Sequence, residues 1–144
     1  MIDLIRRLMA PEPAPLPEPD AELALATLLV RVAKTDGLYS AEEVERIDRV
    51  LAHRHGLDPF AAAKLRSQAE EIEREAPDTV RFTRALKEAV ALEDRSELMT
   101  ALWSVALADG MREAHEDRLM RLVANLLGLT DVESALARQR AEQE

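Results

Sequence analysis

The acids with the most chemical promise lie in two stretches that repeat each other. Val32-Ala33-Lys34-Thr35-Asp36-Gly37-Leu38-Tyr39-Ser40-Ala41-Glu42-Glu43 aligns with Val105-Ala106-Leu107-Ala108-Asp109-Gly110-Met111-Arg112-Glu113-Ala114-His115-Glu116, and both read V-A-x-x-D-G-[L/M]-x-x-A-x-E. Each copy sets an Asp before a Gly and a Glu in the helix that follows, so Asp36 faces Glu43 and Asp109 faces Glu116 across a short loop. If the two copies pack about a pseudo-two-fold axis, four carboxylates converge. An oxygen-only donor set of that charge selects a hard cation, Ca²⁺ or Mg²⁺. A solvated acidic surface that holds loops or meets a basic partner is the competing reading. A standard EF-hand is excluded, because loop positions one and three fall on Val32 and Lys34 and on Val105 and Leu107, none of which offers an oxygen ligand.

Local structure accounts for part of this pattern. Gly37 and Gly110 follow a helix and suit the left-handed stop position, with Leu38 and Met111 packing back on the helix they end. Glu43 lies three residues after Ser40, the spacing of a capping box. In the second copy Glu113 replaces Ser40 and caps less well, yet Glu116 persists, so capping alone does not explain both glutamates. The aspartates are harder to explain structurally, since an acid at a helix C-terminus opposes the macrodipole.

The elements that must position these acids are helical. The pattern predicts seven helices, at 20 to 36, 40 to 55, 58 to 75, 78 to 92, 94 to 109, 113 to 127 and 130 to 142. Asp20 caps the first, Asp58-Pro59 starts the third, Pro77 ends it, and Asp94 with Glu97 reads as a capping box for the fifth. Val44, Ile47, Val50 and Leu51 stripe the second helix. Leu119, Met120, Leu122, Val123, Leu126 and Leu127 form a wider apolar face on the sixth, which should make it the more buried of the two. Each copy of the repeat closes on Gly-Leu, Gly56-Leu57 and Gly128-Leu129, after a one-residue slip. All four glycines therefore mark helix ends of a duplicated hairpin.

Composition agrees with a single all-α domain over residues 20–144. The chain has 144 residues, 47% of them hydrophobic and only 3% aromatic, so close-packed Ala, Leu and Val must build the core. No cysteine is present, which removes disulfides, thiolate metal sites and cysteine nucleophiles. A net charge of -9 repels nucleic acid. No apolar run is long enough for a membrane span and the first residues lack a signal-peptide core, so the chain reads as cytoplasmic. Residues 1–19 form a separate unit. Ile2, Leu4, Ile5, Leu8 and Met9 share one face of a short amphipathic segment that could dock on a partner or a membrane surface, and five prolines between 11 and 19 make a semi-rigid spacer.

Nothing in the chain assembles a nucleophile with a base. His53 and His55 read as solvent-facing residues in a last helical turn. His115, whose repeat counterpart is Glu42, is at most an auxiliary ligand. No phosphate loop or serine elbow accompanies the acids, so the chain reads as a non-enzyme.

Over about residues 20 to 130 the doubled A-x-x-D-G-x-x-x-x-x-E motif, at Ala33 to Glu43 and Ala106 to Glu116, resembles the TerB family. That family is named for a tellurite-resistance protein and is found also in the membrane-anchored co-chaperone DjlA. The resemblance implies a compact all-helical bundle of bacterial origin with pseudo-symmetric helical pairs. It implies an acidic metal site to which Asp36, Glu43, Asp109 and Glu116 correspond, and a link to stress response near the inner membrane. It carries over no enzymatic activity. The proline-rich extension departs from the family pattern, and without a J-domain the co-chaperone role does not follow. A scaffold or protein-interaction module, whose acidic surface binds a protein partner and no metal, is the alternative function.

Overall fold

Asp20 accepts a hydrogen bond from the Leu23 amide at 2.8 Å and so starts α1, Ala21–Lys34, in the computed structural model of the chain. The structure describes residues 20–143 apart from 36, 76–78 and 109–113; the side chains of 114–116 also lie outside it. After α1 come α2 (Ala41–His55), α3 (Pro59–Glu75), α4 (Thr79–Ala89), a single 3-10 turn (Leu92–Asp94), α5 (Arg95–Ala106), α6 (Ala114–Leu126) and α7 (Asp131–Glu142). The described residues contain no strand, and the chain is an all-α bundle as its composition predicts.

The core is organised around α1. Nine of its fourteen residues are buried, from Ala24 to Ala33, and a helix apolar on nearly all sides belongs in the interior. It packs against α2, α3, α4, α5 and α6. Leu25, Leu28 and Leu29 are at most 1% exposed, and full burial of each such side chain contributes about 1.5–3 kcal/mol. Thr27 sits among them at no cost in unsatisfied groups, because its hydroxyl donates to the Leu23 carbonyl at 2.7 Å. The second interior helix is α5, which buries Leu98, Met99, Leu102, Trp103, Ser104, Val105 and Ala106 and packs on α1, α2, α6 and α7. Trp103 Nε1 donates to Ser134 Oγ at 3.2 Å, which ties α5 to α7. The contacts have a matching form: α1 packs most on α3, and α5 packs most on α7.

Helix ends follow the predicted chemistry in most places. Ser40 and Glu43 form the expected capping box on α2, and Asp58 Oδ1 accepts from the Ala61 amide at 2.7 Å ahead of Pro59. Gly56 and Gly128 adopt φ of +64° and +78°, and the amides of Leu57 and Leu129 donate back to the Ala52 and Ala124 carbonyls. Only glycine takes that backbone without strain.

Three expectations need correction. The fourth helix ends at Ala89 rather than near residue 92, and the 3-10 turn follows it. Asp94 is the last residue of that turn, with helical backbone angles of -98° and -7° and no side-chain cap bond. A cap requires extended backbone at that position, so Asp94 and Glu97 do not form a box. A second capping box does exist, between Thr130 and Glu133 on α7. Leu38 is 68% exposed and does not pack back on α1. On α6 the expectation holds: Met120, Val123 and Ala124 are buried, with Leu127 just past its end, against Ile47 and Leu51 among the apolar residues of α2, although Leu122 is 47% exposed. Pro77 and Gly110 lie outside the described residues.

Candidate functional site

The α1–α2 connection carries the first D-G-x5-E copy. Gly37 takes φ +81°, which turns the chain out of α1, and Ser40 then caps α2. The Ser40 hydroxyl accepts from the Glu43 amide at 3.1 Å, and the Ser40 amide donates to Glu43 Oε1 at 2.9 Å. Glu43 is fully buried. Its carboxylate is thereby held in one orientation inside the protein at the first turn of α2, where the helix N-terminus favours a negative charge. Of the other three candidate ligands, Asp36, Asp109 and the side chain of Glu116 lie outside the described residues. Among the described residues no group of three or more His, Asp or Glu side chains is placed to hold a metal ion.

Around this loop the structure assembles a charged network that the sequence did not single out. Lys34 Nζ lies 3.1 Å from Glu73 Oε2, and Arg31 Nε lies 3.8 Å from the other oxygen of the same carboxylate. Arg31 also donates to Thr79 Oγ1 at 2.9 Å, so the last turn of α1 is tied to both α3 and α4. Arg66 on α3 bridges Asp48 on α2 and Glu70 one turn further along α3. Burial works against the Arg66 charge, but the Asp48 hydrogen bond and charge outweigh it and raise its pKa. Tyr39 is wedged beside this bridge with the Lys34 ammonium 5.7 Å from its ring centroid. Burial first, and then the neighbouring Glu70 carboxylate, push the phenol well above its ordinary value, so the hydroxyl keeps its proton. That hydroxyl is shielded from solvent and finds no well-formed hydrogen bond among the described residues. The network holds α1, α2 and α3 together at the end of the bundle from which the acidic loop emerges.

At the other end of α2 the histidines diverge. His53 is exposed as expected. His55 is not solvent-facing: its side chain is only 13% exposed, and Nδ1 lies 3.7 Å from Glu22 Oε1. Burial lowers its pKa, with Glu22 opposing the shift. Sequence spacing gave no signal for this, because α1 supplies both the cover and the carboxylate.

A helical bundle built around two interior helices, with a buried carboxylate at the capping turn of α2, defines a small all-α domain. The family model described as tellurite resistance protein TerB matches residues 22–139. The chain belongs to the TerB family and is a tellurite-resistance-associated domain of that type. No curated protein and no solved structure matches the chain.

Proposed function

We propose that this TerB domain acts as a non-enzymatic cation-binding module, with Asp36, Glu43, Asp109 and Glu116 as the ligand set and Ca²⁺ or Mg²⁺ as the ion. The observation that carries the reading is Glu43: a fully buried carboxylate, oriented by the Ser40 amide and set at a helix N-terminus. In a water-poor position a preoriented carboxylate interacts strongly with a hard cation and loses little entropy on binding it. The two D-G-x5-E stretches, and the parallel between α1 on α3 and α5 on α7, support a duplicated arrangement in which Glu116 would play the part of Glu43. Where bound, the ion would join the two loops and neutralise part of their charge.

Titration of the metal-free protein with Ca²⁺, Mg²⁺, Mn²⁺ and Zn²⁺, followed by Trp103 fluorescence and melting temperature, tests this reading. Trp103 is 6% exposed and sits near the end of α5, close in sequence to Asp109. A bound ion should raise the melting temperature in proportion to the logarithm of its concentration. Asp36→Ala/Asp109→Ala should abolish that rise. A flat titration, or a rise that survives the double substitution, removes the cation reading.

A partner-binding role is favoured by a different observation. Phe60 is 81% exposed at the start of α3, and Val132 and Leu136, one turn apart on α7, are 68% and 50% exposed. Apolar side chains left in water at this level are suited to cover by another protein. Phe60→Ser with Val132→Ser should then weaken co-purification of a partner while leaving the metal titration unchanged.

A further inference from the structure

A cleft of about 950 Å³ opens between the N-terminus of α1, the last turns of α2 and α4, one face of α5 and the last turn of α7. That volume accommodates a drug-sized organic molecule. The cleft's α2 residues, Val50 to His55, lie toward the other end of that helix from Glu43, about 10 to 18 Å away along the axis.

The lining has three parts with different chemistry. Val50, Val90 and Ala101 form an apolar wall. Arg54 and Arg140 bring guanidinium groups to it. Arg54 reaches Glu97 only at 4.0 Å, and Arg140, exposed in the last turn of α7, makes no ion pair among the described residues. The third part is a pair of buried polar atoms, Ser104 Oγ and His55 Nε2, that find no hydrogen-bond partner among the described residues. Ser104 is 3% exposed, yet the residue lines the cleft.

The chemistry of the pair is directional. His55 Nδ1 lies 3.7 Å from the Glu22 carboxylate, whose charge favours the ring proton on that nitrogen and leaves Nε2 as the acceptor in the neutral imidazole. Burial favours that neutral form. A ligand group meeting Nε2 must therefore donate, and a hydroxyl also matches the serine, which can give or take a hydrogen bond. Of the acids on the lining, Glu22 is turned to His55 and Glu97 to Arg54, which leaves Arg140 to attract an anion.

We propose that this cleft binds a small amphipathic organic anion: an apolar body with an acid group held by Arg140 and a hydroxyl received by His55 and Ser104. The apolar wall accepts the body of the ligand.

The experiment is isothermal titration of the full chain with three probes: β-hydroxydecanoate, decanoate and decanol. The hydroxy acid should bind most tightly and decanol most weakly. Arg140→Ala, a surface change that leaves the core intact, should weaken both acids by about tenfold, the scale of one charge-assisted hydrogen bond. Ser104→Ala should bring the hydroxy acid down to the affinity of decanoate and leave decanoate itself unchanged. The His55 ring nitrogen resonances should shift with the hydroxy acid, which gives a readout that does not depend on any substitution. Absence of heat with all three probes at millimolar concentration overturns the proposal. So does a hydroxy-acid affinity that is the same in the native chain, Arg140→Ala and Ser104→Ala.

Discussion

The His55 imidazole sits under α1 with its Nδ1 toward Glu22, and burial holds its pKa below the ordinary value of 6.5. In the unfolded chain the ring titrates near that value, so between the two pKa values the unfolded state binds more protons than the folded one. Stability from this residue is complete above about pH 6.5 and is lost as the pH falls toward the folded pKa. The melting temperature should therefore drop on going from about pH 7 to about pH 5, and His55→Asn should flatten that slope. An unchanged slope in the variant would assign the acid sensitivity to other groups. Glu43 is the complementary case at the same scale. Its capping role was legible from the Ser40 spacing, but its complete burial was not, because burial depends on helices distant in sequence.

At the level of single helices, local chemistry decides the ends and tertiary packing decides the faces. The Ser40 and Asp94 positions look alike in sequence, each an N-cap residue with Glu three places on. Only Ser40 has the extended backbone, with φ -78° and ψ 159°, that lets its side chain reach the third amide. Ser40→Ala should cost about 1 kcal/mol, while Asp94→Ala should stay within about 0.5 kcal/mol. Urea denaturation of the two variants reads this difference directly. The 3-10 turn explains why: it delivers Asp94 in a helical conformation, and no short-range sequence signal announces such a turn. Leu122 makes the same point for faces, since its spacing fits the apolar stripe of α6 but 47% of it remains in water.

Across the whole molecule, Arg95 joins three helix ends at the base of the bundle. Its Nε donates to the Val90 carbonyl at 3.1 Å and Nη2 to Lys87 at 3.2 Å, both at the end of α4. Nη1 donates to the Leu127 carbonyl at 3.1 Å, just past α6. The last carbonyls of a helix lack internal partners and carry the negative end of its dipole, so one guanidinium satisfies two helices together. Arg95→Ala should lower stability by about 2 kcal/mol, and Arg95→Lys should recover little of it, because a point charge cannot replace a three-armed fork. A lower urea midpoint with an unchanged slope would mark a loss of stability without loss of cooperativity.

Composition, periodicity and the glycine and cap positions determined that this chain is an all-α bundle of about seven helices, and the doubled D-G-x5-E motif determined its resemblance to the TerB family. These are short-range properties: helix propensity, capping and left-handed stops act within a few residues and can be read from them. Only the tertiary structure decided that α1 and α5 are the interior helices. It also decided that Glu43 is buried, that Tyr39 and Arg66 join three helices, and that His55 and Ser104 lie on one cleft. Each of those facts depends on which apolar faces meet, and residues far apart in sequence supply the opposing surface.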